Sequence, residues 1–250
     1  MTHDPYVLPD NLPVPEDDGA ADHLLGAVVP RVVLESSQGQ VELADLCAHR
    51  GVVYVYPRTG TPGVAPPAGW DEFPGARGRT PQSCGFRNHA AELAGLGARV
   101  AGVSAQTLEE QVEFADRNDM PYPVLADPEL QLRDALGLPT FEIAGHTLYK
   151  RLAFVAERGR IVKVFYPVFP PDRNAADVLE WLKGLSGKAA AVPAARKPSE
   201  PRRRERRYPE DNGATEDDGS RRSAAQGVPL GRDAGRLFGQ ARNADPRRND

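Results

Sequence analysis

The chain is short of the residues that most often announce a function. Only two cysteines, Cys47 and Cys84, occur in 250 residues, so no disulfide framework staples it. Five histidines are scattered along it without metal-ligand spacing. His23 and His146 stand alone, and His89, within FRNHAAEL, reads as a surface helix residue. There is no glycine-rich phosphate loop and no Ser/His/Asp set that can be placed, so no cofactor is implied. No apolar run approaches the roughly 20 residues needed to span a bilayer. The opening MTHDPYVLPDNLPVPEDD is polar and Pro-rich, unlike a targeting segment with a basic start and an apolar centre. The expectation is a soluble, cytoplasmic protein without membrane contact.

Basic charge is also scarce where a folded core would lie. The first 187 residues carry a net charge of −9, and the rest carry 15 Lys and Arg against 10 Asp and Glu. An acidic body argues against nucleic acid as a partner. The one basic cluster, Arg202 to Arg207, reads as a solvated charge run. Beyond Gly187 the large apolar residues are nearly confined to Tyr208, Leu230, Leu237 and Phe238. Such a segment cannot offset its ordering entropy by burial. The composition therefore divides the chain into an extended Pro/Asp lead-in over 1–22, a folded domain over 23–186, and a disordered charged tail over 187–250.

What is present in the middle is an alternation of strand and helix patterns. Val32–Leu34 reads as a strand, and Val41–Leu46 as a short strand or helix start after a turn at Gln38–Gly39. VVYVYP, Val52–Pro57, has the β-branched and aromatic run of a central strand. A long Gly/Pro-rich loop, Arg58–Gly78, leads to a helix over Pro81–Leu96, with Thr80 as N-cap, Pro81 at its first position and Gly97 as its stop. Arg99–Val103 is a strand, and Thr107–Arg117 a helix opened by a capping box of Thr107 and Glu110. Tyr122–Leu125 is a strand and Pro128–Leu136 a helix that Gly137 ends. LYKRLAFVAERGRIVKVFY is a hairpin turning at Arg158–Gly159, and Asn174–Leu185 a last amphipathic helix. This order predicts one α/β domain with a central mixed sheet flanked by helices.

The chemistry concentrates in GARGRTPQSCGFRNH, Gly75–His89. A thiol at a helix N-terminus is activated by orphan N–H groups and the helix dipole, and a nearby Arg strengthens the effect. Here the strand, the turn and the helix are all present, and Arg151 stands on a later strand. Yet Arg79 stands in the Gly-rich turn just before the helix, and Cys84 lies more than a turn inside it. Cys47, in LADLCAHR, reads as a structural core thiol.

Several stretches make this chain resemble the peroxiredoxins of the bacterioferritin comigratory protein (peroxiredoxin Q) type, which have a thioredoxin-like fold. They are DDGAADHLLGAVVP, YVYPRTGTPG, TPQSCGFRNH, VLADPELQLRDALGLPTF, KRLAFVAERGRIVKVFYPV and FPPDRNAADVLEWL, in order over residues 17–185. The resemblance implies a thiol peroxidase that reduces hydroperoxides. In it a peroxidatic Cys becomes a sulfenic acid, a second Cys five residues later resolves it, and thioredoxin- or glutaredoxin-like proteins reset the disulfide. A homodimer is left open. By position, Cys84 matches the resolving Cys and Arg79 the peroxidatic one. A second register sets P-R-T-G-T-P-G-V, Pro57–Val64, against the family's loop and puts Val64 at the nucleophile. The spacing to Cys84 favours Arg79, and in neither register does a Cys stand there. The resemblance further assigns Pro57 to shielding the site, Thr61 to a hydroxyl that hydrogen-bonds thiolate and peroxide, and Arg151 to holding the thiolate and polarising the peroxide. Asp71 and Glu72 are candidate partners for Arg79. Three functional readings stay open: a peroxidase with lost or weakened activity, a one-Cys thiol protein using Cys84, and a non-enzymatic thioredoxin-fold binding module. In the last, Arg79 and Arg151 form an anion pocket, or the basic tail recruits a partner.

Overall fold

The computed structural model describes residues 12–60, 64 and 66–190. The expected tail beyond 190 and the first half of the lead-in lie outside these residues. The central strand is β3, Arg50–Val55, buried on both faces from Gly51 onward. Its side chains alternate between two cores. Val53 and Val55 face one, and Val52, Tyr54 and Tyr56 face the other, as a period of two requires. β3 pairs in parallel with β4, Arg99–Ser104, and antiparallel with β8, Leu152–Glu157. The seven-stranded sheet is completed by β1 (Val33–Ser36), β2 (Val41–Glu42), β5 (Val124–Ala126) and β9 (Arg160–Phe165), in the order β2-β1-β5-β4-β3-β8-β9. This is the mixed sheet the sequence predicts.

Helices cover both faces. On the Val53 side lie α1, Leu43–Leu46, and α5, Gln131–Leu136, through Leu43, Leu46, Leu132 and Leu136. On the Tyr54 side lie α2 (Arg79–Asn88), α3 (Ala90–Gly95), α4 (Leu108–Arg117) and α6 (Asn174–Ala190), through Phe86, Leu93, Phe114 and Val178. Gly102 sits opposite Tyr54 in the parallel pair, and a Cβ there would stand 2.5 Å from the tyrosine oxygen. A glycine at this point lets the aromatic ring lie flat across the sheet.

Local signals were accurate where a side chain makes the cap. Thr107 and Glu110 form the expected capping box on α4, and the hairpin of β8 and β9 turns at Arg158 and Gly159, with φ 51° and 73°. The start of the first long helix is different from expectation. Gly78, at φ 97°, is the N-cap, and α2 begins at Arg79, so Thr80 and Pro81 are inside the first turn. Thr80 is buried and makes no cap bond. The helix is also not continuous to Leu96: His89, at φ −99° and ψ 5°, separates α2 from α3. At α5, the expected first turn from Pro128 is absent. Leu130 has φ 56°, and the Asp127 carboxylate accepts from Gln131 and Leu132 N–H instead. A two-stranded hairpin, β6 (Thr140–Ile143) and β7 (His146–Tyr149), was not expected. It turns at Ala144–Gly145 with φ 48° and 77°, and alanine at such a turn carries no local signal.

Candidate active site

The site is assembled where β3 ends, the long loop returns, and β8 begins. Ser104 Oγ donates to Pro57 O at 3.1 Å, and the Thr59 hydroxyl donates to Gln106 Oε1 at 2.8 Å. Arg58 pairs with Glu110 at 3.1 Å, and Arg117 Nη2 donates to Gly60 O at 3.2 Å. Pro57 is thus buried at the start of a loop whose entry is fastened to β4 and α4. Thr61 lies outside the described residues.

The returning part of the loop is packed, not slack. Trp70 and Ala76 are buried with Phe141 and Leu148 of the β6–β7 hairpin, and Phe73 stacks on Phe141 with ring centroids 3.9 Å apart. The Arg77 guanidinium bonds the Asp71 carboxylate in a two-point pair. The chain then turns through Gly78 into α2, with Arg79 as its first residue. The Arg79 side chain lies outside the described part of the structure.

Arg151, the residue before β8, binds this returning segment. Only 4% of it is exposed. Its Nε donates to Gly75 O at 3.3 Å, its Nη2 to Arg77 O at 3.1 Å and Ala76 O at 3.4 Å, and its Nη1 to Gln82 Oε1. Gln82 Nε2 in turn donates to Asn174 Oδ1 at 2.9 Å. One hydrogen-bonded line therefore runs from β8 through the first turn of α2 to the start of α6. Gln82 and Asn174 were not singled out from the sequence. Both are buried amides, and a single sequence does not record which polar side chains will be buried and paired.

Cys84 faces a different environment. It is half-buried, in the second turn of α2. Burial pushes its thiol above the usual 9.0, and the Arg87 and Arg117 guanidinium groups pull it back only in part. Nearby, Tyr54 stacks on Phe86 at 4.4 Å, and Tyr54 and Tyr122 share a hydrogen bond of 3.2 Å. Cys47 is fully buried against Gly51, and burial lifts its thiol to about 12. The structure thus brings Pro57, Arg151 and the head of α2 to one end of the sheet, while Cys84 sits among Arg87, Arg117 and the tyrosines. Among the described residues no group of three or more His, Cys, Asp or Glu could hold a metal, and no helix is long and apolar enough to cross a membrane.

A model of the Redoxin family matches residues 24–179. The chain belongs to the redoxin family. Among similar redoxins, Peroxiredoxin bcp1 of Schizosaccharomyces pombe is 30% identical over 52% of this chain, which spans 64% of that protein's length. Peroxiredoxin Bcp of Escherichia coli strain K12 is 26% identical over 63% of this chain and 94% of its own. Among solved structures, Peroxidoxin BcpB from Mycobacterium tuberculosis superposes with a TM-score of 0.53 at 25% identity. It covers 64% of this redoxin and 97% of that chain. The thioredoxin-like fold and the kinship to the peroxiredoxin Q type, both expected from sequence, are thereby shown. Relatives of this redoxin carry peroxiredoxin names.

Proposed function

We propose that this redoxin keeps the scaffold of a thiol-dependent peroxidase acting on hydrogen peroxide or organic hydroperoxides, with thioredoxin- or glutaredoxin-like reductants, and that Arg79 leaves its own peroxidase activity weak or absent. The observation that carries this is the pairing of Arg151 with the segment that leads into α2, with an arginine rather than a cysteine as that helix's first residue. In the family's chemistry a thiolate at this head attacks one peroxide oxygen. The O–O bond breaks, water or an alcohol leaves, and the sulfur becomes a sulfenic acid. A second thiol then displaces water to form a disulfide, and a dithiol reductant takes that disulfide apart. A guanidinium at position 79 supplies no nucleophile, and it places positive charge at the unfavourable end of the helix dipole, costing about 0.3–1 kcal/mol.

The geometry argues against Cys84 as lone nucleophile and against an anion pocket on Arg151. Cys84 as lone nucleophile needs a stabilised thiolate, and its thiol is instead raised by burial. It also lies beyond the first turn, where the dipole's effect has faded. An anion pocket built on Arg151 needs donors aimed outward, and its Nε, Nη1 and Nη2 are spent on three carbonyls and Gln82. A non-enzymatic binding module is therefore the runner-up, without that pocket.

Peroxide consumption coupled to a thioredoxin system tests the reading. The expected outcome is little or no turnover by the unaltered chain and a gain of at least about 100-fold in Arg79→Cys, the scale on which an activated nucleophile acts. In a helix the two thiols of that variant stand roughly 8–9 Å apart at Cα, beyond disulfide reach, so its turnover requires the first turns of α2 to unwind. An inert Arg79→Cys rejects the register that puts Arg79 at the nucleophile. Turnover by the unaltered chain that vanishes in Cys84→Ser selects the one-Cys reading.

A further inference from the structure

A cleft of about 220 Å³ opens beside Arg151, between the lead-in, the returning loop and the residues after β9. Its apolar side is the Phe73–Phe141 stack together with Pro167. Its polar side presents Lys150 and Tyr166, whose donors converge on a carboxylate from the chain itself. Lys150 Nζ donates to Asp18 Oδ2 at 2.5 Å, and Tyr166 Oη donates to Asp18 Oδ1 at 2.6 Å. These two bonds hold the Asp18 carboxyl well below the usual carboxylate range, as a pair of donors suited to an anion does.

We propose that this cleft is a binding site for a small single-ring aromatic carboxylate, which lays its ring against Phe73 and Phe141 and takes the place of Asp18 on Lys150 and Tyr166. Size argues for one ring, because the volume falls below the roughly 300 Å³ at which drug-sized sites begin. Charge argues for an acid. With Asp18 displaced, the lining holds Lys150 and Arg151 against Glu16, an excess of one positive charge that an incoming carboxylate neutralises. Arg151 contributes charge here and no hydrogen bond, since its nitrogens hold the loop carbonyls and Gln82. Displacement is feasible because an incoming carboxylate takes over both donors, so the Lys150 and Tyr166 bonds are exchanged and not lost, while the Asp18 side chain, already 44% exposed, turns to solvent. Asp18 is thus an internal stand-in, and binding releases the lead-in from the cleft.

The proposal does not depend on peroxide chemistry, so it is tested on the full chain without peroxide. Phenylacetate, 2-phenylethanol and acetate are titrated by calorimetry into the unaltered chain, Asp18→Ala and Lys150→Met. Asp18 is exposed and Lys150 half-buried, and neither belongs to a hydrophobic core, so neither change threatens the fold. Phenylacetate is expected to bind at least about tenfold more tightly than the alcohol or acetate. Asp18→Ala is expected to tighten it by about fivefold, the factor matching removal of an exposed ion-pair competitor, and Lys150→Met to abolish it. Equal affinity for phenylacetate and 2-phenylethanol, or no tightening in Asp18→Ala, overturns the carboxylate exchange. Absence of binding in both the unaltered chain and Asp18→Ala overturns the site.

Discussion

At the scale of single residues, the two thiols and Arg151 are set by what surrounds them. Burial raises both Cys84 and Cys47, the latter to about 12, and thiol reactivity follows the thiolate. Alkylation by iodoacetamide at pH 7 should therefore be slower at Cys84 than at a free cysteine. At Cys47 it should appear only on unfolding, with peptide mass mapping as the readout. Fast labelling of Cys84 at neutral pH would contradict its environment. Arg151 is as much a structural residue as a chemical one. Arg151→Met strands the carbonyls of Gly75, Ala76 and Arg77 and the Gln82 amide oxygen. Losing a buried donor set of this kind should cost about 2–4 kcal/mol, measured by urea denaturation. A change below about 0.5 kcal/mol, the size of an ordinary surface substitution, would show that the loop is not held this way.

At the scale of elements, the head of α2 decides the site. The chain enters it through Gly78 at φ 97°, with no side-chain cap. A left-handed backbone is the conformation an L side chain resists, so Gly78→Ala should destabilise the protein by about 1–2 kcal/mol, visible as a lower denaturation midpoint with an unchanged slope. The expected cap at Thr80 failed for an identifiable reason. Thr80 has the right composition for an N-cap, but tertiary packing buries it inside the turn. The capping box of α4 succeeded because both partners lie within four residues and need no help from elsewhere. The β6–β7 hairpin went unread because its turn is Ala144–Gly145, and its packing partners, Trp70 and Phe73, come from a loop some 70 residues earlier.

At the scale of the molecule, the lead-in is tied to the body by charge. Asp18 bonds Lys150 and Tyr166, 132 and 148 residues away in sequence. Its folded-state value is depressed, so its contribution is complete above the ordinary 3.8 and is lost as pH falls from there toward the depressed value. The stability difference between the unaltered chain and Asp18→Asn should therefore shrink below about pH 4. Thermal unfolding at pH 7 and at pH 3 checks this, and an undiminished gap at pH 3 would remove Asp18 from the account.

The sequence by itself determined the central sheet flanked by helices, because the unbroken β-branched and aromatic run Val52–Tyr56 is a local record of burial on both faces. It also raised the question of Arg79, since by resemblance TPQSCGFR sets Cys84 at the family's resolving position and Arg79 five residues before it. Tertiary structure alone decided that Arg151 would clasp the turn before α2, that Gln82 would link it to Asn174, and that the loop holding Trp70 and Phe73 would fold onto a hairpin. Those contacts join residues about 70 to 90 positions apart. Closing such loops costs entropy that depends only weakly on their length, so no local pattern records which partner each residue will meet.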